Sequence, residues 1–183
     1  DRYTFDMTEN KAICINCGQC SIVCPTKAIT EKKEYHLVEE QIKDDEKVVI
    51  VSTSPSCRVS LGDEFNLKPG TFVEKKMVSL LRKLGFKYVL DTNFGADLTI
   101  VEEASELIER IKNKGVLPQF TSCCPAWVKF VETFYPEFIP NISSCKSPLG
   151  MQGPTIKTYF AKKMNIDPRR IVNVALTPCT AKK

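Results

Sequence analysis

Four cysteines between Cys14 and Cys24, in the order C-x2-C-x2-C-x3-C-P (Cys14, Cys17, Cys20, Cys24, then Pro25), constrain this chain more than any other stretch. Thiols this close together read as ligands, because the spacing lets a short loop wrap the corners of a 4Fe-4S cube. Zinc sites usually part their two CxxC pairs by about a dozen residues or more, and a disulfide framework suits a short secreted chain. Neither pattern is present. In two-cluster proteins the fourth cysteine of each run ligates the other cluster. Cys24 therefore either closes its own cluster or serves a partner run upstream of Asp1; the abrupt start without an initiator Met favours the second arrangement.

Nine cysteines fall among 183 residues, 43% of them hydrophobic and 26% charged. Those fractions describe an ordinary globular chain with one sizeable core and a small appended module. No apolar run approaches the ~20 residues that span a bilayer, and Asp1 begins no recognisable signal peptide. The expectation is a cytoplasmic protein without membrane contact, and reducing conditions there favour metal or redox work for the thiols over disulfides. The net charge of +4 is spread along the chain without a dense basic block. That argues against a nucleic-acid platform and suits docking to an acidic redox partner.

The charged stretch 31–47 divides the chain, giving an iron-sulfur module with its linker over 1–46 and a second domain over 47–183. Val48 to Thr53 is a continuous β-branched run, and strands are also expected over 86–90, 116–121 and 171–177. Helical periodicity covers 72–84, 97–114, 125–135 and 151–164, with Gly115 as a C-cap. Alternating strands and helices predict an α/β fold, a parallel sheet with helices on both faces. Ligands of such sheets bind outside the carboxyl ends of the strands. Pro55 and Ser56, then Ser122, Cys123 and Cys124, then Pro178 and Cys179 would follow three strand ends. One buried site with a soft-ligand cofactor is the expectation, since thiolates favour iron-sulfur groups, copper(I) or zinc.

Two of these stretches, Thr121-Ser122-Cys123-Cys124-Pro125-Ala126-Trp127 and Thr177-Pro178-Cys179-Thr180-Ala181-Lys182-Lys183, resemble the first two signatures of the iron-only (FeFe) hydrogenases. The resemblance runs from the cysteine run through Pro55-Ser56-Cys57-Arg58, Val101-Glu102-Glu103 and Lys146-Ser147-Pro148. It implies half of a hydrogenase catalytic domain preceded by a small ferredoxin-like 4Fe-4S module. It also implies reversible reduction of protons to hydrogen, with electrons from ferredoxin or a similar carrier. The implied cofactors are an accessory 4Fe-4S cluster and an H-cluster, a 4Fe-4S cube joined to a two-iron subsite carrying carbonyl and cyanide, installed by hydrogenase maturation proteins.

Carried onto this sequence, the resemblance makes Cys14, Cys17, Cys20 and Cys24 ligands of the accessory cluster. Cys124 and Cys179 become ligands of the catalytic cube, and Cys123 the thiol that passes protons. Lys182 and backbone groups near Ser54 and Pro55 would hold cyanide, an anionic acceptor that a buried ammonium satisfies. Ser56, Ser122, Pro125 and Pro178 would line the cofactor, with Trp127 sealing the pocket. Glu103, Glu106 and Arg110 share one helix face opposite Val101, Ala104, Ile108 and Ile111. By periodicity alone that is a solvated face; the resemblance assigns it, with Ser143, to a proton relay.

His36 reads as a surface residue of the linker, Cys57 and Cys145 as small buried hydrophobes, and Trp127, Phe130, Phe134 and Tyr135 as core. Leu149-Gly150 stands where well-known members of the family carry glutamines, and Thr177 replaces a methionine, which resembles a divergent branch called group B. The signature supplying the other two cube cysteines is missing, which implies an N-terminal piece of a longer enzyme, itself inactive in hydrogen chemistry. The alternative is a non-catalytic relative used in iron-sulfur assembly or hydrogen sensing.

Overall fold

The computed structural model describes residues 13–183. The helices in chain order are α1 (Gln19–Val23), α2 (Tyr35–Lys43), α3 (Cys57–Ser60), α4 (Glu74–Lys83), α5 (Asn93–Lys112), α6 (Pro125–Phe134), α7 (Pro148–Thr155) and α8 (Ala161–Met164). The strands are β1 (Val48–Thr53), β2 (Tyr88–Asp91) and β3 (Ile171–Leu176). The chain divides into two compact units, one built from 33–98 and 148–178, the other from the N-terminal segment to Lys32, 99–147 and 179–183.

The first unit carries the sheet, three parallel strands in the order β2-β1-β3. Its centre is the β-branched run of β1, whose residues alternate between two cores. Val49 and Val51 pack on one face with Met77 and Leu81 of α4 and with Phe86, flanked by Val38 and Ile42 of α2. Ile50 turns to the other face against Ile156, Ala161 and Ile171, with Tyr88 and Phe160 meeting edge to face at 5.1 Å. The parallel sheet and the helices on both of its faces are as expected, and a continuous apolar run is what a strand buried on both sides requires.

Backbone details fix these layers. Gly85 has φ +109°, and a Cβ there would lie 2.5 Å from Ile42 Cγ2. Gly95 lets the start of α5 approach Pro148 at the head of α7, where a Cβ would fall 2.2 Å from the Pro148 carbonyl oxygen. Arg58, in the turn after β1, reaches Asp91 at the end of β2 (2.9 Å) and Glu74 at the start of α4 (3.4 Å).

Four expectations are corrected. Residues 116–121 form no strand; one parallel bridge joins Phe120 to Ile142, because Pro118 has no N–H to give a ladder. The predicted helix over 151–164 begins at Pro148 and changes winding. Pro154 interrupts the α ladder, and Ile156–Phe160 runs as π-helix before α8 resumes. The charged linker holds α2, with exposed His36 inside it. Finally, the aromatic set is no sealed core, since Phe134 and Tyr135 are about half exposed.

Candidate active site

In the second unit, α5 presents its faces the opposite way to the solvated-face reading. Val101, Ile108 and Ile111 are 62%, 51% and 58% exposed, whereas the side chains of Glu106 and Arg110 retain only 17% and 16% exposure. Arg110 donates from Nε and Nη2 to Glu106 Oε1 at 3.1 and 2.7 Å. Its remaining donors reach the carbonyls of Val116, Pro140 and Ile142 at 3.2, 3.0 and 2.9 Å. One guanidinium thereby fastens the helix to the loops on either side of α6, using the fixed fork that suits it to such work.

The second oxygen of Glu106 gathers the following loop. Ser143 Oγ donates to Oε2 at 2.6 Å, the Ser144 N–H at 3.1 Å, and the Cys145 thiol lies 3.7 Å away. Burial pushes the Glu106 carboxyl up, but the hydrogen bonds from Ser143, Arg110 and the Ser144 amide outweigh it and hold the group below its ordinary value. Cys145 is pushed the other way, chiefly by burial and further by the charges of Glu106 and Glu103, despite the Ser143 hydrogen bond. Glu103 lies on the same face; its Oε1 is buried and, among the described residues, without a hydrogen-bond partner. The Gln119 side-chain oxygen is in the same condition, while its amide nitrogen donates to the Glu103 carbonyl at 3.2 Å.

Cys123 and Cys124 form the turn that leads into α6, Cys124 at its N-cap and Pro125 as its first residue, where a missing N–H costs nothing. Trp127 ties this turn down by donating Nε1 to the Thr121 carbonyl at 3.1 Å and packing edge-on against Phe120. Ser122 Oγ donates to the Cys145 carbonyl, and Lys182 Nζ to the Cys123 carbonyl. Cys179 precedes the short 3-10 turn that contains Lys182. The unit thus joins Lys182 to the Cys123 carbonyl, groups Glu106, Ser143 and Arg110 in a second network, and ties Ser122 to that network through the Cys145 carbonyl. Ser144 and Cys145 belong to the second network though the motifs did not single them out; the run Ser143-Ser144-Cys145 beside a matched signature was the available signal.

The N-terminal cysteines lie on a tightly wound loop and α1, with left-handed backbone at Asn16 (φ 59°) and Gly18 (φ 80°). Asn16 Oδ1 accepts from the Cys14 thiol at 3.5 Å, and the Asn16 backbone lowers that thiol below its ordinary value. Thr26 and the backbone of Ile29 and Ala28 lower Cys24 to about 7. No disulfide joins the cysteines. Among the described residues no three His, Cys, Asp or Glu side chains converge closely enough for a metal ion. What fits an iron-sulfur group is the donor chemistry, four soft thiols of which two are eased toward the thiolate form by neighbouring hydrogen bonds. Ser54, Pro55, Ser56 and Pro178 lie in the sheet unit at the carboxyl ends of β1 and β3, where Ser54 N–H bonds the Leu176 carbonyl at 3.0 Å. Of the three stretches expected to follow strand ends, these two do and 122–124 does not.

The profile of the iron only hydrogenase large subunit, C-terminal domain, matches residues 47–183, and that of the 4Fe-4S binding domain matches residues 7–30. The chain is 48% identical to the periplasmic Fe hydrogenase large subunit of Nitratidesulfovibrio vulgaris, over 95% of this chain and 49% of that one. It is 35% identical to the cytosolic Fe-S cluster assembly factor narfl of Xenopus tropicalis, over 93% of this chain and 38% of that one. A variant of the FeFe-hydrogenase HydA1 from Chlamydomonas reinhardtii superposes with a TM-score of 0.76 at 41% identity, covering 81% of this chain and 38% of that one. The chain spans about half or less of the length of the curated relatives it matches. No helix among the described residues is long and apolar enough to cross a membrane. With one profile over three quarters of its residues and a second over its cysteine run, the chain belongs to the iron-only hydrogenase large-subunit family.

Proposed function

We propose that this chain is the electron-entry and proton-relay part of an FeFe hydrogenase in which protons and hydrogen are interconverted. The observation that supports it best is the inward polar face of α5, where Glu106 is held by Ser143, Ser144 and Arg110 although an apolar face was available for burial.

In this reading Cys14, Cys17, Cys20 and Cys24 hold the accessory 4Fe-4S cluster, and Cys124 and Cys179 contribute two thiolates to the H-cluster. When bound, the H-cluster supplies the redox chemistry that joins two protons and two electrons into one hydrogen molecule. The chain's own residues deliver the protons. Arg110 and Ser143 fix the Glu106 carboxylate, Glu103 offers a buried acceptor oxygen further along the same face, and Cys123 would hand protons on to the bound group. Lys182 brings an ammonium to the Cys123 turn, and Ser122 and Pro125 shape it. Electrons come from ferredoxin or a similar carrier, maturation proteins load the metal, and the cytoplasm is the compartment.

The relative named as an assembly factor supports a second reading, a non-catalytic iron-sulfur protein. The full-length protein, matured anaerobically, separates the two by hydrogen evolution from a reduced low-potential donor and by infrared bands of bound carbonyl and cyanide. Bands together with hydrogen production that falls at least ~100-fold in Cys123→Ser support the hydrogenase. Four irons per chain with neither bands nor hydrogen would favour the assembly reading.

A further inference from the structure

The N-terminal cysteine loop and the turn after Cys179 touch at one side chain. Thr180 Oγ1 donates to the Asn16 carbonyl at 3.0 Å. That carbonyl belongs to the peptide bond that begins Cys17, and Thr180 itself follows Cys179. The fit is close. Gly18 takes φ +80°, and a Cβ there would stand 2.6 Å from Thr180 Oγ1 and 3.0 Å from its Cγ2. The loop is also fixed behind the contact, where Ser21 Oγ donates to the Gly18 carbonyl at 2.8 Å. Outside that loop, Lys183 donates to the Lys32 carbonyl.

We propose that Thr180 is a positioning residue that clasps the accessory-cluster loop to the Cys179 turn and supplies the bonded route for electrons between the two cysteine sites. This rests on the reading that both sites hold iron-sulfur groups. The route runs from Cys17 through the Asn16 carbonyl, across the hydrogen bond to the Thr180 hydroxyl, and along one peptide to Cys179. The step moves one electron and breaks no bond. Its donor would be the reduced iron-sulfur group that Cys14, Cys17, Cys20 and Cys24 would hold, and its acceptor the oxidised group toward which Cys124 and Cys179 would contribute thiolates. Glycine at position 18 is what lets the threonine reach the carbonyl, so the tie depends on a residue of the cysteine motif as well as on Thr180.

The test uses the full-length iron-loaded protein as parent, Thr180→Val, which keeps the shape and removes the donor, and Thr180→Ser, which restores the hydroxyl. The readouts are magnetic coupling between the two reduced clusters by electron paramagnetic resonance, intercluster transfer after flash reduction, and amide exchange at Cys17 and Gly18. The valine variant is expected to carry full iron, to show weaker coupling and slower transfer, and to exchange those amides about fivefold faster, as loss of one hydrogen bond in a locally opening loop predicts. Serine is expected to recover all three. A valine variant with full iron and unchanged coupling, transfer and exchange would overturn the inference and leave the proposed function standing. A parent that holds no iron at the Cys124 and Cys179 site would overturn the proposed function and this inference with it. Exchange needs no metal, so a variant that loads poorly still reports on the clasp.

Discussion

Replacing Arg110 by alanine tests the least expected feature of the chain, a helix that buries its charges and exposes its apolar stripe. Arg110 makes two hydrogen bonds to Glu106 Oε1 and three to the carbonyls of Val116, Pro140 and Ile142. Removing the guanidinium leaves those carbonyls short of a donor and Glu106 short of its counter-charge. Breaking a buried ion pair by deleting one partner costs about 3–5 kcal/mol. The pair retains some exposure, so a value near the lower end, about 3 kcal/mol, is expected. Glu106→Gln in the same background should recover part of the loss, and a double-mutant cycle should give a coupling of about 1–3 kcal/mol. Ile108→Glu, on the exposed stripe, should change stability by no more than about 0.5 kcal/mol. Urea denaturation followed by circular dichroism measures the parent, Arg110→Ala, Glu106→Gln, their double variant and Ile108→Glu. If Arg110→Ala were neutral and Ile108→Glu severely destabilising, α5 would lie with its apolar face inward and the relay reading would lose its main support.

Glu106 also sets a pH dependence. Its folded value is depressed, so its contribution to stability is present above the ordinary carboxyl value of 4.5 and drains away as pH falls below it; acid titration of the parent and of Glu106→Gln should diverge in that window. Alkylation of the iron-depleted chain, read by mass spectrometry, should be half-maximal near pH 7 at Cys24, which Thr26 and neighbouring backbone lower to about 7. Cys57 and Cys145, raised chiefly by burial, should lag behind at that pH; equal rates would contradict the assignment. Gly95→Ala should destabilise by about 1–3 kcal/mol through the clash with the Pro148 carbonyl, and Ile50→Ala by about 2–5 kcal/mol because Ile50 is fully buried. Thermal unfolding checks both.

What the sequence disclosed about the fold followed the strength of local signals. β1 was legible from the run Val48 to Val51 and β3 from Ile171, Val172 and Val174, and α5 because its period is sustained over five turns. The sense in which α5 faces inward was not. Periodicity separates two faces of a helix, but which one is buried depends on partners, here the carbonyls at 116, 140 and 142 and the carboxylate of Glu106. Residues 116–121 mimic a strand in composition, yet Pro118 removes a donor and Gln119 spends its side chain on the Glu103 carbonyl, so Phe120 alone pairs. Within the candidate site, the cysteines at 123, 124 and 179 could be picked out from motif spacing. Ser144, Cys145 and Thr180 stand inside or beside the signatures, but their partners Glu106 and Asn16 are distant in sequence, so motif spacing gave them no role.

The order of the strands has a consequence for synthesis. β1 is central, and its β3 partners lie far downstream, Val48 opposite Ile171 at a separation of 123 residues. At about 5–20 residues per second, a ribosome takes roughly 6–25 seconds to deliver the second neighbour after β1 has emerged. Until then the strand has an open row of peptide groups on the β3 side, even after β2 has emerged to cover the other. Cells that make this protein have reason to shield the nascent Val48–Thr53 segment until β3 arrives, and a pause in translation between them would lengthen its exposure to aggregation.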